Sequence, residues 1–352
     1  MIFESKSLQR LNLHYCNLSH DDILHSDMSS SIHLKQLRLS DVCITDEILE
    51  KIIYSCPLIE LKLSGCVGLR SIRIDKRARH LKRFEWSGSY DVKESPSLEI
   101  DVPSLEEINS HSDFFSHNFP CLESLSLKDC YVFEEFELSS RSIKKFDLSS
   151  RDVSLNSVID VPSIVVFKYE GYAPESFSFT TTSKKWKSDI TLGHDRLFDE
   201  ASPRLGKVGQ LLKAVSGSEI SLDIRQFDIS PHFASSFMDN LFCICRPRII
   251  QRSLVVGPES EWKFHKRHNK TTELMCKILG MEKGRFESGR ITRGRQWRQD
   301  LEKVIFETFD RNEEEWHPVL ERSWSKFWET LLPEDDSKSV KHCMRFRLTW
   351  RE

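Results

Sequence analysis

The chain lacks any long apolar run, and nothing among its 352 residues approaches the roughly 18 consecutive apolar positions that suggest a membrane span. It also lacks a charge excess. With 51 Lys and Arg against 54 Asp and Glu, the net charge of −3 gives no overall pull toward nucleic acid or an anionic membrane. The opening Met1-Ile2-Phe3-Glu4-Ser5-Lys6 has no apolar signal-peptide core, so the sequence points to the cytoplasm or nucleus. In that reducing compartment the ten cysteines are expected as free thiols.

The motifs of common chemistries are missing too. No Walker loop, GxGxxG, HExxH or GxSxG occurs, so neither an enzyme nor a bound cofactor is expected. Cys243-x-Cys245 has no second Cys or His pair at zinc-like spacing, and core packing at a helix end is the expected role, not a metal site. His80, His111 and His117 read as solvent-exposed loop residues, since nothing marks a water-excluding pocket that would pair one with Cys121.

What the sequence has is self-similarity. Leu8-x-x-Leu11-x-Leu13 recurs as Leu34-x-x-Leu37-x-Leu39, Leu58-x-x-Leu61-x-Leu63 and Leu122-x-x-Leu125-x-Leu127. Degenerate copies stand at Leu81-x-x-Phe84-x-Trp86, Leu105-x-x-Ile108, Ile143-x-x-Phe146-x-Leu148 and Ile164-x-x-Phe167-x-Tyr169. From first apolar position to first apolar position the steps are 26, 24, 23, 24, 17, 21 and 21 residues. All but the fifth fall near or within the leucine-rich-repeat period of roughly 20–29 residues.

In such a repeat the centre is a short strand whose alternate side chains enter the coil. Leu11 and Leu13 then point inward while Asn12 and His14 face the concave surface. By the same alternation the exposed binding positions are Asn12, His14, Gln36, Arg38, Lys62, Glu85, Ser126 and Asp147. They mix charge signs, so no partner chemistry follows. Cys16, Cys66 and Cys130 sit where each strand turns, as small buried residues able to hydrogen-bond neighbouring backbone. On the return leg Thr45 predicts a helix cap, with Asp46 and Glu47 in the first turn, an apolar face of Ile48, Leu49, Ile52 and Ile53, and a stop at Pro57. Ser19 to Leu24 starts similarly. Around residues 98–103 and 138–155 the apolar residues alternate, which predicts short strands or loops in place of the helix.

After residue 172 the register fades. Strands are expected at Ile190–Leu192 and Ile220–Ile224 with a helix near Gly206 to Val215 between them, which leaves open whether the repeats continue. A helix that begins at Ser230-Pro231 and ends at Arg246-Pro247, a strand near Ile249 to Val256 and a helix from Thr272 to Leu279 are expected next. The tail predicts a strand at Leu301–Phe309, a helix at Val319–Leu332 and a strand at Met344–Trp350. An array of repeats leaves its end core open, so this aromatic tail, with Trp316, Trp324, Phe327, Trp328 and Trp350, is read as a cap. The expected organisation is repeats over 1–172, irregular repeats or a transition over 173–248, and a capping region over 249–352.

Between Lys283 and Arg298 the cations Lys283, Arg285, Arg290, Arg293, Arg295 and Arg298 face only Glu287. Such a segment could track a phosphate backbone. A Gly-spaced exposed loop balanced by Glu313, Glu314 and Glu315 is the favoured reading, so nucleic acid is not the expected partner.

The wording of the repeats carries a resemblance. Cys56-Pro57-Leu58-Ile59-Glu60-Leu61-Lys62-Leu63-Ser64-Gly65-Cys66 resembles the repeat line of plant F-box/LRR proteins of the FBD type, and Phe119 to Cys130 repeats it. Val161-Pro162-Ser163-Ile164-Val165-Val166-Phe167-Lys168-Tyr169-Glu170-Gly171-Tyr172 is similar to the line that follows there. The resemblance implies an SCF-type ubiquitin-ligase context, in which an F-box docks on a Skp-type adaptor and the repeats select a client protein. An F-box of about 40 residues would precede the repeats, and here the first repeat begins at Leu8, so the adaptor is a partner only if an F-box is encoded upstream. The expected fold is an α/β leucine-rich-repeat solenoid, a horseshoe with a C-terminal α+β cap, that binds a client protein through its concave face. A free-standing repeat scaffold and nucleic-acid binding through 283–298 are the alternatives.

Overall fold

A computed structural model describes residues 7–18, 33–88, 96–110, 120–130, 135–150, 155–192, 204–224, 240–253, 297–310, 315–318 and 343–351. The chain forms two units, Met1–Phe167 with Phe179–Ser183, and Lys168–Ser178 with Lys184–Glu352.

In the first unit seven of the Leu-x-x-Leu-x-Leu copies become parallel strands stacked one coil on the next. They are β1 (Arg10–His14), β2 (Gln36–Ser40), β3 (Glu60–Ser64), β5 (Arg83–Ser87), β7 (Glu107–Ser110), β8 (Ser124–Cys130) and β10 (Lys145–Ser150). The register holds through both inward columns, and the shift between β8 and β10 comes only after Leu148, where Ser150 pairs with Cys130. Leu11, Leu37, Leu61, Phe84, Ile108, Leu125 and Phe146 form one inward column, and Leu13, Leu39, Leu63, Trp86, Ser110, Leu127 and Leu148 the other. From Leu37 to Leu148 these side chains are all buried, which supplies the apolar burial that holds the solenoid together. The pattern is an α/β leucine-rich-repeat solenoid.

Two apparent defects of the sequence pattern explain themselves. The fifth copy lacks a third large residue because Ser110, fully buried, lies beside Trp86, which is 1% exposed. A small side chain next to the indole keeps the interior at close-packed density. The 17-residue step from β7 to β8 still pairs Glu107 with Ser124 and Ile108 with Leu125.

The strand-to-return corner also repeats. Tyr15, Asp41 and Gly65, each the residue just after its strand, adopt φ of 52°, 53° and 60°. Their N–H groups donate to Ser40, Ser64 and Ser87 carbonyls of the next coil, so the ladder runs through the left-handed corner. Cys66 behaves as its slot predicts. It is buried, and its Sγ lies 3.7 Å from the Leu39 carbonyl of the preceding coil, which accepts from it. Burial pushes its thiol up to about 11. Cys16 is only half-buried, at the end of the stack of described strands.

The capped helix forms as predicted, as α1 (Asp46–Ser55), with the Thr45 hydroxyl accepting from the Ile48 N–H and Ile48, Leu49, Ile52 and Ile53 buried. Asp46 reaches further. Its carboxylate accepts from the backbone N–H groups of Arg70 and Ser71 in the next coil, at 2.9 and 3.2 Å. Later return legs are strands: β4 (Ser71–Ile74) pairs in parallel with β6 (Ser97–Ile100), and β9 (Glu135–Ser139) with β11 (Asn156–Asp160). The helix-like start at Ser19 to Leu24 lies outside the described residues.

In the second unit β14 (Lys187–Leu192), β15 (Glu219–Ile224) and β16 (Ile249–Ser253) are parallel, with α2 (Arg204–Ala214) between the first two. Ile190, Leu222 and Ile250 align as a buried column, so a β–α–β coil persists here. Pairing then reverses. β19 (Cys343–Trp350) runs antiparallel to β16, and β17 (Leu301–Asp310) and β18 (Glu315–Pro318) extend the antiparallel edge. Phe306 faces Phe346 across it with ring centroids 4.9 Å apart. Glu307, nearly buried, accepts from Arg345 and Arg347, and the Arg345 guanidinium lies 4.2 Å over the Trp316 ring. Trp350 packs with Phe242 and Trp297, the latter in the short helix α3 (Trp297–Asp300), and its indole N–H donates to the Pro247 carbonyl at 2.8 Å. The helices expected at 272–279 and 319–332, and most of that at 231–246, lie outside the described residues.

Candidate functional site

The outward side chains of the parallel strands in the first unit form a second set of columns. One holds Asn12, Arg38, Lys62, Glu85, Asn109, Ser126 and Asp147, and the position two residues earlier on each same strand contributes Arg10, Gln36, Glu60, Arg83, Glu107, Ser124 and Lys145. A third, at the strand ends, holds His14, Ser40, Ser64 and Ser87. All eight residues read from the sequence as outward therefore lie on this one face, in the same column except His14 and Gln36.

The face is knitted together by charge. Glu60 is only 5% exposed because two guanidiniums enclose it. Arg38, one coil before, donates to Oε1 at 2.8 Å, and Arg83, one coil after, donates to Oε2 at 2.9 Å. Burial pushes the Glu60 carboxyl up, but the hydrogen bonds from Arg83 and Arg38 outweigh it and leave the group below its ordinary value. Lys62 meets Glu85 of the next coil at 2.6 Å, and along the rim Lys82 meets Glu106 and Lys144 meets Glu123 at 2.7 and 2.6 Å. Three of the named positions, Arg38, Lys62 and Glu85, are thus already engaged between coils. Exposed pairs of this kind contribute only about 0.2–1 kcal/mol each. Their larger effect is to fix long side chains in one arrangement, so a partner meets a preordered surface.

Other positions differ in availability. Asn12 and His14 are exposed and Gln36 half-exposed, while the Ser126 hydroxyl and the Asn109 carbonyl oxygen are buried with no hydrogen-bond partner among the described residues. Sequence alternation did not single out Glu60 and Arg83. The signal that could have found them is the opposite charge at equivalent positions of successive repeats, 23 residues apart.

Among the described residues no group of three or more metal-ligating side chains gathers, and no helix is long and apolar enough to cross a membrane. The seven described cysteines with placed side chains are free thiols: Cys245 is buried, its thiol pushed up to about 12 by burial, whereas Cys243 and Cys121 are exposed. The expectation of core packing thus holds for Cys245 and is corrected for Cys243, which lies two residues earlier on the turned-out side of the helix end. His80 is exposed, and His111 and His117 lie outside the described residues. So do Lys283, Arg285, Arg290, Arg293 and Arg295. Arg298 falls in α3.

Residues 1–119 match the family described as FBD-associated F-box protein At5g56370, LRR repeats. An F-box/LRR-repeat protein of Arabidopsis thaliana, At3g18150, is 30% identical over 122 residues, which is 34% of this chain and 26% of that relative. The chain therefore matches about a quarter of the relative's length. No solved structure matches the chain. The first third of the chain consists of leucine-rich repeats similar to those of FBD-associated F-box proteins.

Proposed function

We propose that the outward face of β1, β2, β3, β5, β7, β8 and β10 binds a client protein, as the substrate-recognition part of an F-box/LRR protein of an SCF-type ubiquitin ligase. The observation that carries this reading is the unbroken register of outward columns across seven strands, held rigid by the Arg38–Glu60–Arg83 bridge. The similarity of residues 1–119 to F-box-associated repeats supplies the ligase context. Binding is stoichiometric and non-catalytic in this account, with no cofactor.

Photo-crosslinking tests it. A crosslinking amino acid at Asn12, Gln36 or Lys62 should capture the same client from plant extract, and one at Glu50, on α1, should not. Capture from Glu50 alone would place the interface elsewhere. A Skp-type adaptor recovered together with the client supports the ligase role. A client recovered without any adaptor supports a free-standing scaffold.

A further inference from the structure

A second surface of the first unit carries charge that the coil-to-coil pairs do not absorb. Between Arg70 and Arg83 the chain has seven cations, Arg70, Arg73, Lys76, Arg77, Arg79, Lys82 and Arg83, beside His80 and one carboxylate, Asp75. The structure accounts for four of them. Arg73 pairs with Glu99, Lys82 with Glu106 and Arg83 with Glu60. Arg77 pairs with Asp75 and lies 3.7 Å over the Tyr54 ring at the end of α1. Lys76, Arg79 and His80 are exposed and make no hydrogen bond or ion pair to any described residue.

These groups do not hang from a loose loop. The Ala78 N–H donates to the Asp75 carbonyl and the Leu81 N–H to the Ala78 carbonyl, two successive tight turns. The Arg77 N–H donates to the Asp75 carboxylate, and the Asp75 N–H to the Tyr54 hydroxyl. Ala78 and Leu81 are buried beneath, which anchors the turn from inside. Beside it opens a cleft of about 410 Å³ whose wall includes Tyr54, Pro57, Arg77, Arg79 and His80. Cations on a fixed backbone lose little freedom when an anion arrives, so little of the attraction is spent on ordering them.

We propose that this cleft docks a short acidic peptide segment of a partner protein, with carboxylates meeting Arg79 and His80 on its wall and Lys76 beside it on the same turn, and the chain seated along Pro57. Two observations favour a peptide over nucleic acid. Arg77 already covers one face of the Tyr54 ring, which leaves less aromatic surface for base stacking. Asp46, Glu47 and Glu50 stand on the same helix a turn or two earlier, and they would repel a phosphate backbone that continued past the cleft. This site is separate from the outward strand face and does not depend on what that face binds.

The test is fluorescence anisotropy on the full chain with a labelled twelve-residue peptide of alternating Glu and Leu. A single-stranded oligonucleotide of equal charge runs in parallel. The peptide should bind and weaken with added salt. The double variant Lys76→Glu with Arg79→Glu should lower its affinity at least tenfold, while Lys184→Glu with Lys185→Glu, an equal charge change between β13 (Ser176–Thr180) and β14, should lower it less than threefold. Equal loss in both variants, or tighter binding of the oligonucleotide that the first variant abolishes, overturns the proposal. Unchanged circular dichroism in both variants keeps the comparison fair, since none of the four residues is buried.

Discussion

The Arg38 guanidinium and the Glu60 carboxylate, 22 residues apart in sequence and one coil apart in space, meet through two hydrogen bonds of 3.2 and 2.8 Å. Arg83 closes the bridge from the other side. Replacing Glu60 by Ala leaves two facing guanidiniums without their shared anion and should cost about 1–3 kcal/mol, read as a lower urea midpoint. The acid limb should change as well. Glu60 is lowered in the folded state, so its stabilisation is full above the ordinary carboxylate range and is lost as pH falls through the folded value. Glu60→Gln should therefore flatten the loss of stability on acidification. An unaltered acid limb would show that the bridge adds nothing.

Gly65 and Gly68 separate two kinds of crowding. A Cβ on Gly65, at φ +60°, would come 2.3 Å from the Asp41 Oδ1, the end of a side chain that can turn away. On Gly68, at φ +95°, it would come 2.8 Å from the Ile44 carbonyl oxygen, which is backbone. Gly65→Ala should cost about 1–2 kcal/mol from its left-handed corner, with no added clash once Asp41→Ala is present. Gly68→Ala should cost more, and Asp41→Ala should not rescue it. Thermal melts of the four variants decide this.

Trp86 and Ser110 share one buried volume. Ser110→Leu restores the repeat pattern yet should destabilise by about 1–3 kcal/mol through overpacking. Adding Trp86→Leu should recover part of that loss, a coupling that a double-mutant cycle measures. Additive effects would mean that the two side chains do not compete for space.

Thiol access follows from burial. Cys121 and Cys243 should react with a thiol reagent in the native state, while Cys56, Cys66 and Cys245, buried and pushed up to about 11, 11 and 12, should react only after unfolding. Mass mapping of the modified peptides checks it.

The solenoid was legible because its rule is local and repeated. A period of about two dozen residues and a fixed strand pattern suffice to place Leu37, Leu61 and Leu125 in one column, even where Ser110 breaks the spelling. Thr45 and the apolar face behind it likewise declared α1. What stayed illegible was pairwise and long-range. Nothing near Glu60 in the chain announces Arg38 or Arg83, since the contact exists only once the coils stack in register. The same holds for the reversal after β16. The alternation of Met344 to Trp350 marks a strand, but not the direction in which it pairs. The turn around Ala78 reads in sequence as a basic run and gains meaning only when its neighbours' partners are known.

The antiparallel end of the second unit has a consequence for how molecules meet. The outermost strand in its order, β18, is four residues long and closes on Pro318, which has no N–H to offer. A stack of parallel coils presents the same hydrogen-bonding pattern at each end and so invites another copy to add on. Among the described strands the final rung is brief and one donor short, which makes it a weak template for an added copy.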